Sequence, residues 1–325
     1  MKLGLFTCGV ALAATLFAGA ASASELTLYT SQPDKDASQT IHAFEQAYPD
    51  IHVNVYRSGT SQILSKLAAE FAAGNPQPDV LLIADAVSMQ TLKQEGHLMP
   101  YQQANVEGFD KSAYDPDKTY FGSKLITSGI AYNTRAQEKP EHWKDLTKPS
   151  YKNLEVMPSP LYSGAAAYML AGFVSKPDLG WDFYKKLKAN GIIAVRGNGA
   201  VLKSVASGEK AYGVLVDFMA MRAKKQGSPI GFVFPSEGVP AVTEPVAILK
   251  TAKNVEGAKK FVDFILSDKG QKLALSMGYL PAKEGIGRPD WLPEGTKVKV
   301  MSFDMSEVVK HIDADKKKFA DMFGG

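Results

Sequence analysis

Three apolar strands separated by two amphipathic helices follow the first two dozen residues, and this alternation limits the available folds more than any other feature. Residues 25–30 read as a short buried strand, and residues 51–56 alternate in period two. Residues 79–84 are apolar after Asp79, as expected of a parallel strand covered on both faces. Between them Ile41, Phe44 and Tyr48 recur at helical spacing, as do Ile63, Leu64, Leu67 and Phe71. Pro49-Asp50 stops the first helix. Strand, helix, strand, helix, strand in this order builds a doubly wound α/β layer.

A second block, residues 132–234, repeats the theme. It predicts strands at 154–157, 192–195 and 212–216, helices at 165–173 and 181–189, and a helix starting near Asn198. The last third returns to amphipathic helices at 255–266 and 268–277. A length of 325 residues suggests two domains, and no low-complexity linker separates them. The expectation is an α/β protein of two lobes joined by extended crossing strands, with 126–132 and 242–247 as the candidates. Lobe 1 then takes 24–127 plus 247–325, and lobe 2 takes 128–246. The tail with Lys316, Lys317 and Lys318 is expected to cap a lobe as a surface helix with solvated charges.

The first 23 residues have a different logic. Lys2 precedes an uncharged, mostly apolar run, and Ala21-Ser22-Ala23 is a small-x-small cleavage pattern. A signal peptide at 1–23 is expected, with the mature chain starting at Ser24 in the periplasm. Cys8 is the single cysteine and leaves with it, so the core rather than disulfides must hold the fold. Thirty-seven Lys and Arg against 34 Asp and Glu advertise no nucleic-acid partner.

The residues an enzyme would need do not stand out. There is no Gly-x-Ser-x-Gly elbow and no phosphate-cradling Gly-x-x-x-x-Gly-Lys, and the five histidines are not at metal-ligand spacing. No metal and no cofactor is expected. Small polar residues recur instead at strand ends: Ser31, Ser58-Gly59-Thr60-Ser61, Thr127-Ser128-Gly129, Ser163-Gly164 and Asn198-Gly199. Ligands of open α/β sheets bind outside the carboxyl ends of the strands, where helix N-termini suit anions. Any one of these turns is better explained as an N-cap or tight turn, and it is the five together that point to a ligand. Three acids stand beside them. Asp217 ends the apolar run 211–216, Glu237 lies in Pro235-Ser236-Glu237-Gly238, and Asp85 follows the third strand as an expected N-cap. Asp217 and Glu237 suit an ammonium group or ligand hydroxyls, while a pairing of Asp217 with Arg222 is the plainer alternative.

Several stretches together resemble the periplasmic solute-binding proteins of ATP-driven importers, in the branch of ferric-ion, phosphonate, polyamine and sugar-phosphate binders. They include Leu28-Tyr29-Thr30-Ser31, Phe44-Glu45-Gln46-Ala47-Tyr48-Pro49, Pro78-Asp79-Val80 and Gly129-Ile130-Ala131-Tyr132-Asn133-Thr134. Trp143-Lys144-Asp145-Leu146-Thr147 and Ala258-Lys259-Lys260-Phe261-Val262-Asp263-Phe264 continue the series in the same order. The resemblance implies a type II binding-protein fold, two lobes closing on one ligand, and an inner-membrane ABC permease as partner of a monomer. It also implies transport rather than catalysis, with a periplasmic enzyme of another kind as the alternative from a different class. Ferric-ion members use adjacent tyrosines, which this chain lacks, although Tyr162, Tyr168 and Tyr212 are available should they converge.

The turns at Ser58-Gly59-Thr60-Ser61 and Ser163-Gly164-Ala165 look like the anion-holding turns of phosphonate and sugar-phosphate relatives. The expected ligand is therefore a small anionic or zwitterionic solute: 2-aminoethylphosphonate first, a sugar phosphate next, ferric ion as the alternative. Ser31, Thr60, Ser61 and Ser163 are expected on the phosphonate, and Asp217 and Glu237 on the amine.

Overall fold

The computed structural model describes residues 23–324. Apart from Ala23, the expected signal peptide lies outside the described residues. The chain opens with β1 (Ser24–Thr30), α1 (Asp34–Ala47), β2 (Ile51–Arg57), α2 (Thr60–Ala72), β3 (Val80–Leu82) and α3 (Ala86–Gln94). Short strands β4 (Leu98–Met99) and β5 (Tyr120–Gly122) follow, and then the long β6 (Lys124–Asn133). The next run is β7 (Glu155–Pro158), α4 (Gly164–Val174), α5 (Gly180–Ala189), β8 (Ile193–Val195), α6 (Asn198–Ser207), β9 (Tyr212–Val216), α7 (Asp217–Lys225) and β10 (Ile230–Val233). The chain ends through β11 (Ala241–Val242), β12 (Pro245–Leu249), α8 (Val255–Leu266), α9 (Asp268–Ser276), β13 (Leu280–Pro281) and α10 (Met305–Phe323).

These strands form two sheets, one per lobe. The first has the order β2-β1-β3-β12-β4, with β5 also on β12, and the second the order β10-β6-β9-β7-β8, with β11 and β13 on β6. Strands β1, β2 and β3 are parallel, as are β7, β8 and β9. Strands β12 and β6 run antiparallel to their neighbours. Each sheet is thus mixed rather than wholly parallel, because a strand arriving from the other lobe enters it from the opposite end. The chain passes from the first sheet to the second between β5 and β6 and returns between β11 and β12, and these two crossings join the lobes; it reaches the second sheet once more at β13.

Each lobe has its own core. In the first, Phe44 of α1 packs edge-on against Phe261 of α8 at 5.0 Å, over Leu26, Leu28 and Val246 of the sheet. Asp79, the one charge in its strand, accepts from the backbone of Thr27, Lys253 and Asn254, which ties β1 to the start of α8. The second core surrounds Trp143, Phe173, Tyr184 and Tyr212. Phe319 of α10 belongs to that second core, whereas Val308 and Ile312 of the same helix meet Val87 of α3 and Ala167 of α4. The C-terminal helix therefore straddles the lobes. Of the three lysines expected to be solvated, Lys318 places its ammonium 4.5 Å from the centre of the Trp181 ring.

One buried acid sets a pH dependence. Glu155 is fully buried, its Oε2 accepts from Asn190, its Oε1 has no partner, and burial pushes its pKa up to about 8. The unfolded chain ionises near 4.5 while the folded one keeps the proton, so this group removes stability as pH rises between those values. Glu155→Gln should gain on the wild type by about 1.4 kcal/mol per pH unit across that window. Urea denaturation at pH 5, 7 and 9 checks this, and parallel curves would remove Glu155 as the cause.

Candidate functional site

A cavity of about 370 Å³ lies between the lobes, and helix N-termini dominate its walls. From the first lobe come Ser31 after β1 and Gly59-Thr60 at the start of α2. From the second come Ser163-Gly164 at the start of α4 and Gly197-Asn198 at the start of α6, with Phe218 of α7 beside them. This follows from the topology, since every parallel strand ends at the cleft and the next helix must begin there. Gly59 and Gly197 cap their helices without a side-chain bond, so the first N–H groups of α2 and α6 are left for a ligand. Ser163 caps α4 by accepting from Ala166, and Asn198 donates to the same hydroxyl at 3.1 Å. The hydroxyl of Ser31 accepts from the Ala84 backbone.

Two arginines supply full charge. Arg57 ends β2 and is aimed by an Nε hydrogen bond to the Gln32 carbonyl at 2.7 Å and an ion pair with Asp34 at 3.4 Å. Arg196 follows β8 and lies over the Tyr162 ring, 4.8 Å from its centre. Glu244, which lines the same cavity, occupies the crossing between β11 and β12 at a φ of 38°, strained for a residue with a side chain. Its Oε2 takes an ion pair from Lys124 and a bond from Gln32, and burial raises its pKa. Next to it the lobes are tied together: Arg222 of α7 makes a two-pronged bond to Asp36 of α1 at 2.8 and 2.9 Å. The Arg222 guanidinium lies 4.7 and 5.0 Å from the centres of the Phe218 and Tyr279 rings, which pack on each other at 4.2 Å.

A cleft of helix N-termini between two crossing-strand lobes can hold a small anion, and no nucleophile–base pair lines it among the described residues. The sequence of residues 25–272 matches the family model for the bacterial extracellular solute-binding protein. The chain belongs to that family. An uncharacterized protein of Haemophilus influenzae is 31% identical over 293 residues, covering 85% of this chain and 83% of its own. A probable ABC transporter periplasmic-binding protein of Sinorhizobium fredii is 27% identical over 277 residues, covering 81% and 75%. The solved structure of the periplasmic binding protein AfuA from Actinobacillus pleuropneumoniae, with exogenous fructose-6-phosphate bound, superposes with a TM-score of 0.84 at 25% identity. That alignment covers 92% of this chain and 98% of AfuA. The protein is thus the solute-binding component of an ABC importer and not an enzyme.

In this solute-binding protein Ser31, Gly59, Thr60, Ser163, Gly164 and Ala165 line the cleft as a set. The other expected residues lie elsewhere. The Ser58 hydroxyl bonds Gln62, and Ser61 faces a separate groove with Leu64. Ser128 is buried in the sheet opposite Val216, and Asp85 caps α3 by accepting from Ser88, the N-cap role expected of it. Asp217 is buried beneath the cleft floor. Its carboxylate accepts from the Thr127 hydroxyl at 2.7 Å and the Phe218 N–H at 2.7 Å, and burial pushes its pKa up to about 6. The first residue of a helix can take a carboxylate for its own N-terminus, so neither an amine nor Arg222 is needed to explain Asp217. Glu237 sits on the outside, against Ser236 and His142.

The three tyrosines do not converge. Tyr162 reaches the cleft, Tyr168 packs on Phe303, and Tyr212 stacks on Tyr151 and donates to the Glu138 carbonyl. Sequence reasoning missed Arg57, Arg196 and Glu244. The two arginines share a signal that was open to reading: each stands at the end of a strand or just after it, and the next helix is then capped by glycine, in Arg57-Ser58-Gly59 and Arg196-Gly197-Asn198.

Proposed function

We propose that this protein captures a small solute bearing a phosphate or phosphonate group and delivers it to the permease of its importer. The observation that carries this reading is the convergence of Arg57 and Arg196 with the N-termini of α2, α4 and α6 on one cavity. Guanidinium forks match oxyanions in shape as well as charge, and helix N-termini add oriented N–H donors. Ser31, Thr60 and Ser163 contribute hydroxyls. In the same cavity Glu244 keeps Oε1 without a protein partner among the described residues. Because Lys124 already compensates that carboxylate, a ligand hydroxyl suits it better than a second ammonium. A sugar phosphate suits both the arginines and the carboxylate, and the roomy cavity and the fructose-6-phosphate held by AfuA support it.

The second reading is 2-aminoethylphosphonate, favoured by the presence of Glu244 and Asp34 at the cleft. Its amine would then meet those two acids rather than Asp217 and Glu237. In either case the protein acts as a periplasmic monomer after residues 1–23 are removed. The first lobe takes 24–127 with the start of 247–325, the second 128–246, and α10 lies across both. A thermal-shift panel on the chain from Ser24 tests the reading, since a ligand at a hundred times its Kd adds about 2.7 kcal/mol. Glucose 6-phosphate or 2-aminoethylphosphonate should raise Tm. A shift confined to spermidine, or to ferric citrate with a visible charge-transfer colour, would overturn it.

A further inference from the structure

Arg57 and Arg196 face the same cavity but are held differently. Arg57 is tethered by the Gln32 carbonyl and Asp34. Arg196 has no carboxylate or hydrogen-bond partner among the described residues, and what fixes it is the face of Tyr162. That ring is in turn wedged between the lobes. A Cβ on Gly59 of the first lobe would fall 2.6 Å from it, and one on Gly197 of the second would fall 2.9 Å from it. Both contacts are too close for any side chain, so the ring seats only against glycine on either side. Gly197 has an extended backbone, φ −177°, that any residue can adopt, which leaves room for the ring as the reason for glycine there.

We infer that Tyr162 is a positioning residue, an aromatic wedge that seats against Gly59 when the lobes are together and thereby fixes Arg196 over the anion end of the cleft. The inference rests on the phosphate reading for what Arg196 meets, but not for how Arg196 is held. A residue that acts through Arg196 loses its effect once Arg196 is gone. With glucose 6-phosphate and inorganic phosphate as calorimetric probes, Tyr162→Ala and Arg196→Ala should each weaken binding about tenfold. The double variant should also lose about tenfold, not a hundredfold, because the two act as one unit. Tyr162→Phe should keep wild-type affinity, since the ring and not the hydroxyl does the holding. Additive losses in the double variant would overturn the inference.

A second readout needs no ligand. The Arg196 Nε–H resonance of the empty protein should carry a ring-current shift that Tyr162→Ala abolishes and Tyr162→Phe preserves. An unmoved resonance overturns the positioning role. Should the wild type bind neither probe while the resonance moves as expected, the phosphate reading falls and the positioning of Arg196 stands.

Discussion

Replacing Lys124 by methionine is expected to lower the unfolding free energy by about 3–5 kcal/mol, the cost of leaving one member of a buried ion pair uncompensated. Lys124 and Glu244 are 3% and 1% exposed, and they sit in the two crossings that join the lobes, Lys124 at the start of β6 and Glu244 just before β12. The ammonium also lies 4.1 Å from the centre of the Tyr279 ring, so few alternatives are open to either charge. Burial already raises the Glu244 pKa, and the loss of Lys124 raises it further. An acid with a raised folded pKa costs stability above its unfolded value and stops doing so as pH falls below it. The deficit of Lys124→Met should therefore shrink toward pH 4. Adding Glu244→Gln should recover most of it, because a pair removed together leaves no bare charge. Urea midpoints of the single and double variants decide the matter. A single variant as stable as the wild type would mean that water reaches Glu244 and the hinge is not dry.

The second large effect is on affinity. Gly164 starts α4 in the second lobe, and a Cβ there would fall 2.5 Å from the Ala84 carbonyl oxygen and 2.8 Å from the Thr60 hydroxyl. Both neighbours belong to the first lobe, and one of them is backbone that cannot swing aside. Gly164→Ala is thus expected to part the lobes. An overpacked contact costs about 1–3 kcal/mol, and about 1.4 kcal/mol is tenfold in Kd, so ligand binding should weaken about tenfold or more. Within its own helix alanine is the better residue by up to about 1 kcal/mol, so the stability of the empty protein should hold or rise. That split between affinity and stability distinguishes a closure defect from a folding defect. Small-angle scattering should find the variant more extended with ligand present. Unchanged affinity and unchanged dimensions would mean that the lobes do not need this contact to close.

The parts of the fold that obey a local period were legible in the sequence. Phe44 and Leu67 mark helix faces, and residues 79–84 mark a covered strand, because each pattern is complete within a dozen residues. The mixed character of the sheets was not, since nothing local in residues 245–249 says that they enter between β3 and β4. The same distinction governs the site. The turns at Gly59-Thr60 and Ser163-Gly164 were found because a strand-to-helix junction is a local signal. Glu244 was missed because its partner Lys124 is on the other crossing strand, and Arg196 because its partner is a ring 34 positions earlier in the chain. Asp217 was placed at the right strand end but assigned to a ligand. Its actual partner, Thr127, comes from a neighbouring strand that pairs only in the folded sheet.

A calorimetric comparison of glucose 6-phosphate with glucose, on the mature protein at neutral pH, tests most directly whether the cleft is built around an oxyanion. The two solutes present the same ring and differ in the group meant for Arg57, Arg196 and the helix N-termini. The geometry predicts saturable binding of the phosphate ester and none of the free sugar. Equal binding of both, or binding of neither beside a tight response to spermidine, would contradict it.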